Sequence, residues 1–131
     1  MRSILKLEIR FVYVKRRFFY MADGNIPIQI DELENMIEGE FLDSEFDRGR
    51  YATDASIYQI MPHAVVLPKN LDDIEKLIAF CRKTKAAILP RGGGTSQCGQ
   101  TVNKAIVVDN TNYFNKLISV DLSENSCVVE P

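Results

Sequence analysis

Pro90-Arg91-Gly92-Gly93-Gly94-Thr95-Ser96, followed by Gly99-Gln100, is the stretch of this chain whose residue types best suit chemistry. Three consecutive glycines remove every Cβ from a short loop, so the backbone can take positive φ and approach a ligand closely. Successive N–H groups in such a turn can converge into an anion-binding concavity. Thr95 and Ser96 add hydroxyl donors, and Arg91 adds a permanent positive charge suited to phosphate. The chemistry these residues suggest is phosphate binding, but by neither common nucleotide motif. A Walker loop needs Lys-Ser/Thr after its last glycine, which is absent. The dinucleotide fingerprint spaces its glycines as GxGxxG and opens a helix, whereas here Gln97-Cys98-Gly99-Gln100-Thr101 leads toward a strand.

The elements that must hold this loop are legible on both sides. Ala86-Ala87-Ile88-Leu89 is an apolar run that predicts a buried strand ending at the loop, the end of a parallel strand where α/β sheets place ligands. Ala64-Val65-Val66-Leu67, bounded by Pro62 and Pro68, predicts an earlier buried strand. Between them, Asn70 caps a helix with Asp72 and Asp73 in its first turn and Arg82, Lys83 and Lys85 at its end, charges that complement the helix dipole. Leu71, Ile74, Leu77, Ile78 and Cys81 form its expected core stripe. Two strands joined by such a helix form a right-handed βαβ unit with parallel strands. After the loop, Ala105–Asp109 predicts a third strand. Leu117–Asp121 and Cys127–Glu130 predict a hairpin around Ser123-Glu124-Asn125.

Upstream the pattern is weaker. Asp31–Glu38 reads as a helix, with Asp31 and Glu34 spaced as a capping box, Leu33, Met36 and Ile37 as its apolar face, and Gly39 as its stop. Residues 41–61 sustain neither period and predict an ordered loop with one helical turn. Residues 1–20 are basic and aromatic. They read either as an arm that docks on a partner or an anionic surface, or as a leader upstream of a start at Met21. Without an uninterrupted apolar core or a small-residue cleavage site they are not expected to form a secretory signal, and their charges argue against a membrane span.

Composition narrows the field further. A length of 131 residues allows one small domain or part of a larger one, and a net charge of −2 gives no support for nucleic acid as a partner. Cys81, Cys98 and Cys127 are odd in number and lack CxxC spacing, so they predict reduced thiols in a cytosolic-type compartment, not a disulfide framework or a zinc site. Cys98 is expected to be partly buried. The single histidine, His63, is expected to be structural or solvent-facing and leaves no set for a metal centre or a hydrolytic triad. The chain stops at Pro131, directly after an expected strand, and so reads as cut off.

The ordered set Tyr51-Ala52-Thr53-Asp54-Ala55-Ser56-Ile57-Tyr58, Pro62 to Pro68, Pro90 to Ser96, Gly99-Gln100, Val108-Asp109 and Val128 to Pro131 resembles the FAD-linked oxidase family. This is the vanillyl-alcohol-oxidase (PCMH) type of flavin domain found in D-lactate, glycolate and D-2-hydroxyglutarate dehydrogenases. The resemblance covers residues 48–131, preceded by a helical segment over 21–47. It implies an α+β fold: the first lobe of a PCMH-type FAD-binding domain, with a small parallel βαβ sheet and the start of an antiparallel lobe, truncated. It implies FAD as cofactor, its pyrophosphate wrapped by Arg91, Gly92, Gly93, Gly94, Thr95 and Ser96, with Gly99 and Gln100 nearby. A histidine that tethers flavin in some relatives is replaced here by Gly94 or Thr95. Arg50, Tyr51 and Asp54 either shape the flavin-side surface or form a local ion pair and turn.

The resemblance further implies that the full-length protein oxidises a small D-2-hydroxy acid by hydride transfer to the flavin. It then passes electrons to a partner or an iron–sulfur region, in the cytoplasm or peripheral to the inner membrane. Catalytic residues would lie beyond this chain, and no metal is expected within it. The alternatives are an inactive truncated product or one subunit of a split enzyme. A cell-wall sugar-nucleotide reductase shares the flavin fold but fits Thr95-Ser96 and the 51–58 segment less well.

Overall fold

A computed structural model describes residues 19–21 and 27–131 of the chain. Two short strands, β1 (Phe19–Met21) and β2 (Pro27–Gln29), pair antiparallel as a separate ribbon. The two readings of residues 1–20 otherwise lie outside the described residues. The main sheet has four strands. In chain order they are β3 (Glu40–Leu42), β4 (Ala64–Leu67), β5 (Ile88–Arg91) and β6 (Ile106–Asp109), and in space β3-β4-β6-β5. β4, β6 and β5 run parallel, with β6 between the two strands of the βαβ unit, and β3 adds an antiparallel edge. The expected parallel βαβ core is present.

β4 and β6 are continuous apolar runs because both faces of each are covered. On one face Ala64, Val66, Ile106 and Val108 pack against Ile30, Leu33, Leu77, Phe80 and Cys81. On the other, Val65, Leu67 and Val107 meet Leu42, Tyr51, Leu89 and Tyr113. β5 differs from the expected buried strand. It is an edge strand beginning two residues later, with Ile88 exposed, and it runs on through Pro90 into Arg91. An edge tolerates the missing proline N–H. Arg91 therefore belongs to the sheet and not to the loop.

Helix α2 (Leu71–Thr84) has the expected Asn70 cap, and Lys85 ends it in the left-handed region. Its buried stripe matches the expected one at Leu77 and Cys81, with Ile74 half-buried. Leu71 and Ile78 face solvent, while Asp73, Leu77, Phe80 and Cys81 are buried. The unexpected buried member is Asp73, placed by sequence as a charge on the helix dipole. Its carboxylate accepts hydrogen bonds from the backbone N–H groups of Glu38 (2.8 Å), Gly39 (2.9 Å) and Lys69 (2.9 Å). Burial opposes its ionisation, but these three donors outweigh burial and hold its pKa below the ordinary value.

The same contact explains the segment before it. The helix expected over 31–38 forms as a shorter 3-10 helix, Ile30–Asn35. Its continuation would need the Glu38 and Gly39 amides, which are instead bound to Asp73. The chain then turns into β3, a strand of three residues that sequence reasoning missed. The expected helical turn in 41–61 is α1 (Glu45–Arg50), capped by Ser44. The final hairpin, β7 (Leu117–Asp121) and β8 (Ser126–Val129), forms as expected, and both its strands are exposed along their length.

Candidate functional site

β5 delivers the glycine loop at its C-terminal end, beside the end of β6, since Arg91 pairs with Asp109 in register. From there residues 92–101 arch over the sheet edge, and the segment 51–60 lies against them. That segment is closed on itself by a Thr53–Gln59 bridge and by the Ile60 N–H donating to the Ala52 carbonyl (2.8 Å).

The residues singled out by sequence separate into two groups. One group builds the loop. Arg91 Nη1 donates to the carbonyls of Tyr51 (3.1 Å) and Thr101 (3.2 Å), and Nη2 to that of Thr53 (2.8 Å). The guanidinium also sits 5.3 Å from the centre of the Tyr51 ring. Gly94 has φ +66°, and a Cβ there would stand 2.5 Å from Arg91 Nη2. Its carbonyl accepts from the Ala55 N–H (3.0 Å). Gly99 has φ +77° and packs against the Tyr58 ring. Ser96 Oγ bonds the Gln100 side chain and accepts from the Gln100 and Cys98 amides, a local turn that fixes the far half of the loop.

The other group is free of such work. Gly92 and Gly93 are exposed and lie outside the left-handed region. A Cβ on Gly92 would meet nothing within 4 Å, and one on Gly93 would meet only Thr95 Cγ2 at 3.7 Å. Thr95 is exposed beside them. Cys98, expected to be partly buried, is exposed in the turn that its N–H closes on Ser96 Oγ. Cys81 is the buried thiol, and burial pushes its pKa up to about 11.

Several polar residues around the loop escaped sequence reasoning or were left open by it. Arg50 pairs with Asp47 (2.6 Å), not with Asp54. Asp54 accepts from the Ser56 N–H (2.9 Å) and, across the chain, from Thr101 Oγ1 (2.9 Å). Hydrogen bonds from Ser56 and Thr101 hold its carboxyl at about 2. An Asx turn at Asp54-Ala55-Ser56 was the readable part of this. The Tyr51 hydroxyl donates to Asp109 (2.7 Å), whose other oxygen accepts from Thr111. Burial, and then this bond, raise the Tyr51 pKa to about 12. His63 sits immediately before β4, its backbone N–H donating to the Ala105 carbonyl (2.9 Å). Burial, with Arg48 and Lys104 nearby, lowers its pKa to about 4 and keeps the ring neutral. The arrangement joins an open, side-chain-free rim at Gly92–Gly93 to a rigid floor, which suits a bulky anionic ligand approaching the backbone.

Residues 62–131 match a family model described as an FAD binding domain. The chain is 38% identical over 116 residues to D-2-hydroxyglutarate dehydrogenase of Escherichia coli, covering 83% of this chain and 11% of that protein. It is 34% identical over 106 residues to glycolate oxidase subunit GlcD of Bacillus subtilis, covering 79% and 22%. It is also 32% identical over 73 residues to the mitochondrial cytochrome D-lactate dehydrogenase of Kluyveromyces lactis, covering 53% and 13%. The chain thus spans about a tenth to a quarter of the length of these relatives. Among solved structures, alkyldihydroxyacetonephosphate synthase superposes with TM-score 0.62 at 22% identity, covering 76% of this chain and 21% of that one. Physcomitrella patens BBE-like 1 superposes with TM-score 0.62 at 16% identity, covering 76% and 22%. These two likenesses concern the fold.

Proposed function

The chain belongs to the FAD binding domain family, with FAD as its cofactor, and from that premise we propose that Gly92, Gly93, Gly94, Thr95 and Ser96 hold the FAD pyrophosphate. One observation carries the assignment. Gly92 and Gly93 have open space where a Cβ would stand and no left-handed φ to accommodate, so nothing in the chain's own packing calls for glycine at either position. Close approach by a ligand to the backbone does. Gly94 and Gly99 are glycines for the loop's own geometry, and Gly99 and Gln100 close its far end. Thr95 offers an exposed hydroxyl to a phosphate oxygen.

Bound FAD would supply the hydride-accepting chemistry, which a protein of this composition lacks. The chain's own part is to bind the phosphates and orient the cofactor across the ends of β5 and β6. For the parent activity we propose oxidation of a D-2-hydroxy acid. The names of the relatives support that class: D-2-hydroxyglutarate, glycolate and D-lactate are all 2-hydroxy acids.

Titrating the chain with FAD while following flavin fluorescence tests the site. FAD should bind, ADP should displace it, and riboflavin, which lacks the pyrophosphate, should not. Equal binding of riboflavin and FAD would remove the loop from the reading. The flavin-loaded chain should not be bleached anaerobically by D-lactate or D-2-hydroxyglutarate, and bleaching would mean that the catalytic residues lie within these 131 residues.

A further inference from the structure

The segment from Tyr51 to Ile60 grips the glycine loop along its length. Arg91 reaches back to the Tyr51 and Thr53 carbonyls and forward to that of Thr101, so one guanidinium ties the loop's two ends to each other and to the segment beside them. Asp54 makes a second tie, accepting from Thr101 Oγ1 (2.9 Å) and, at 3.4 Å, from the Thr101 N–H. The Ala55 N–H makes a third, to the Gly94 carbonyl (3.0 Å). The Tyr58 ring lies against Gly99 as a fourth.

Resting on the FAD reading above, we infer that Arg91 and the Tyr51–Ile60 segment form a clasp that shapes the glycine loop before any ligand arrives. Arg91 is then a positioning residue whose donors serve main-chain carbonyls and not phosphate. Two N–H groups on Nη1 and one on Nη2 serve three carbonyls, a spread that a rigid planar fork covers from two nitrogens and that the single nitrogen of a lysine does not reproduce. The placement of Arg91 requires glycine at position 94, since a Cβ there would stand 2.5 Å from Nη2 and displace the guanidinium. A loop closed in advance avoids the ordering cost on binding, so its shape should govern cofactor affinity. The attraction for phosphate is left to backbone N–H groups and to Thr95.

The test uses the full chain with Arg91→Lys, which keeps the charge and loses the fork, and with Thr101→Val, which removes only the Oγ1 tie to Asp54. Amide hydrogen exchange at Ala55 and at position 101 is read without ligand, with Leu77 and Phe80 in α2 as the reference for global opening. FAD binding is read separately by fluorescence. Arg91→Lys should speed exchange at Ala55 and Thr101 by at least about tenfold, leave α2 unchanged, and weaken FAD by at least about tenfold. Thr101→Val should speed exchange at the same two sites by about threefold. Wild-type exchange at Ala55 in Arg91→Lys would overturn the clasp. So would normal exchange combined with weakened FAD, which would assign Arg91 a direct phosphate contact. If Arg91→Lys also opens α2, Thr101→Val decides, and an unchanged Ala55 amide there is fatal. Should the wild type fail to bind FAD, the cofactor reading falls while the exchange rates still judge the clasp.

Discussion

Alanine placed at Gly93 and at Gly94 should have opposite effects, although the two residues are neighbours of identical type. At Gly93 an added Cβ meets nothing nearer than 3.7 Å, and the backbone lies outside the left-handed region. The substitution narrows the unfolded ensemble without straining the fold, so it should stabilise by about 0.4–1 kcal/mol. At Gly94 the φ of +66° costs a Cβ-bearing residue roughly 1–2 kcal/mol. The new Cβ also stands 2.5 Å from Arg91 Nη2, and moving the guanidinium breaks bonds to the carbonyls of Tyr51, Thr53 and Thr101. Losing charge-assisted bonds adds about 1.5–3 kcal/mol. Gly94→Ala should therefore destabilise by about 2.5–5 kcal/mol, a fall in Tm of roughly 8–20 °C for a domain of this size, against a small rise for Gly93→Ala. Thermal unfolding followed by circular dichroism measures both. FAD titration completes the comparison, because Gly93→Ala should lose at least about tenfold in affinity, or roughly 1.4 kcal/mol, while being the more stable protein. A Gly93→Ala chain that is stabilised and binds FAD as well as the wild type would refute the assignment of the open glycines to the ligand. An unaffected Gly94→Ala would refute the steric account of the loop.

Asp73→Asn should cost about 2–4 kcal/mol in denaturant unfolding, because an amide NH2 would face either the Glu38 N–H or those of Gly39 and Lys69 in a buried site; a loss below about 0.5 kcal/mol would contradict its role as the joint between α2 and β3. His63, held neutral with a pKa of about 4, binds fewer protons folded than unfolded between that value and its ordinary 6.5. Stability should thus be full above pH 6.5 and fall as pH drops toward 4, and His63→Gln should flatten that part of the profile in pH-dependent unfolding; an unchanged slope in the variant would contradict it. Thiol labelling should find Cys98 and Cys127 reactive in the folded chain and Cys81 silent until denaturant is added, since Cys81 is buried with its pKa raised. FAD should slow labelling at Cys98, and equal rates with and without FAD would separate Cys98 from the site.

Local patterns were enough to locate β4, α2, β6 and the β7–β8 hairpin, because each carries its signal within its own window. These are an unbroken apolar run, a helix with a cap at each end, and two short strands around a polar turn. The glycine loop was legible for the same reason: composition alone marks a backbone that something can approach. β3 was not legible, since three residues cannot show a period, and the strand exists only because the edge of β4 is there to pair with. Asp73 read as a dipole charge because its three donors come from residues 38, 39 and 69, two of them more than thirty positions away.

The sequence by itself therefore determined that this chain carries a phosphate-type loop at the end of a parallel strand, and that its ordered motifs are those of the FAD-linked oxidases. Strand order and register, by contrast, set which loop residues are tied into the fold and which stand open. Arg91, expected beside the phosphates, donates in the fold to the carbonyls of Tyr51, Thr53 and Thr101. Gly92, Gly93 and Gly94 were indistinguishable until one of them had an arginine beneath it. The reason is physical: a residue's type states what it can donate or accommodate, whereas its partner is assigned by strand order and register, which bring together positions ten to sixty residues apart.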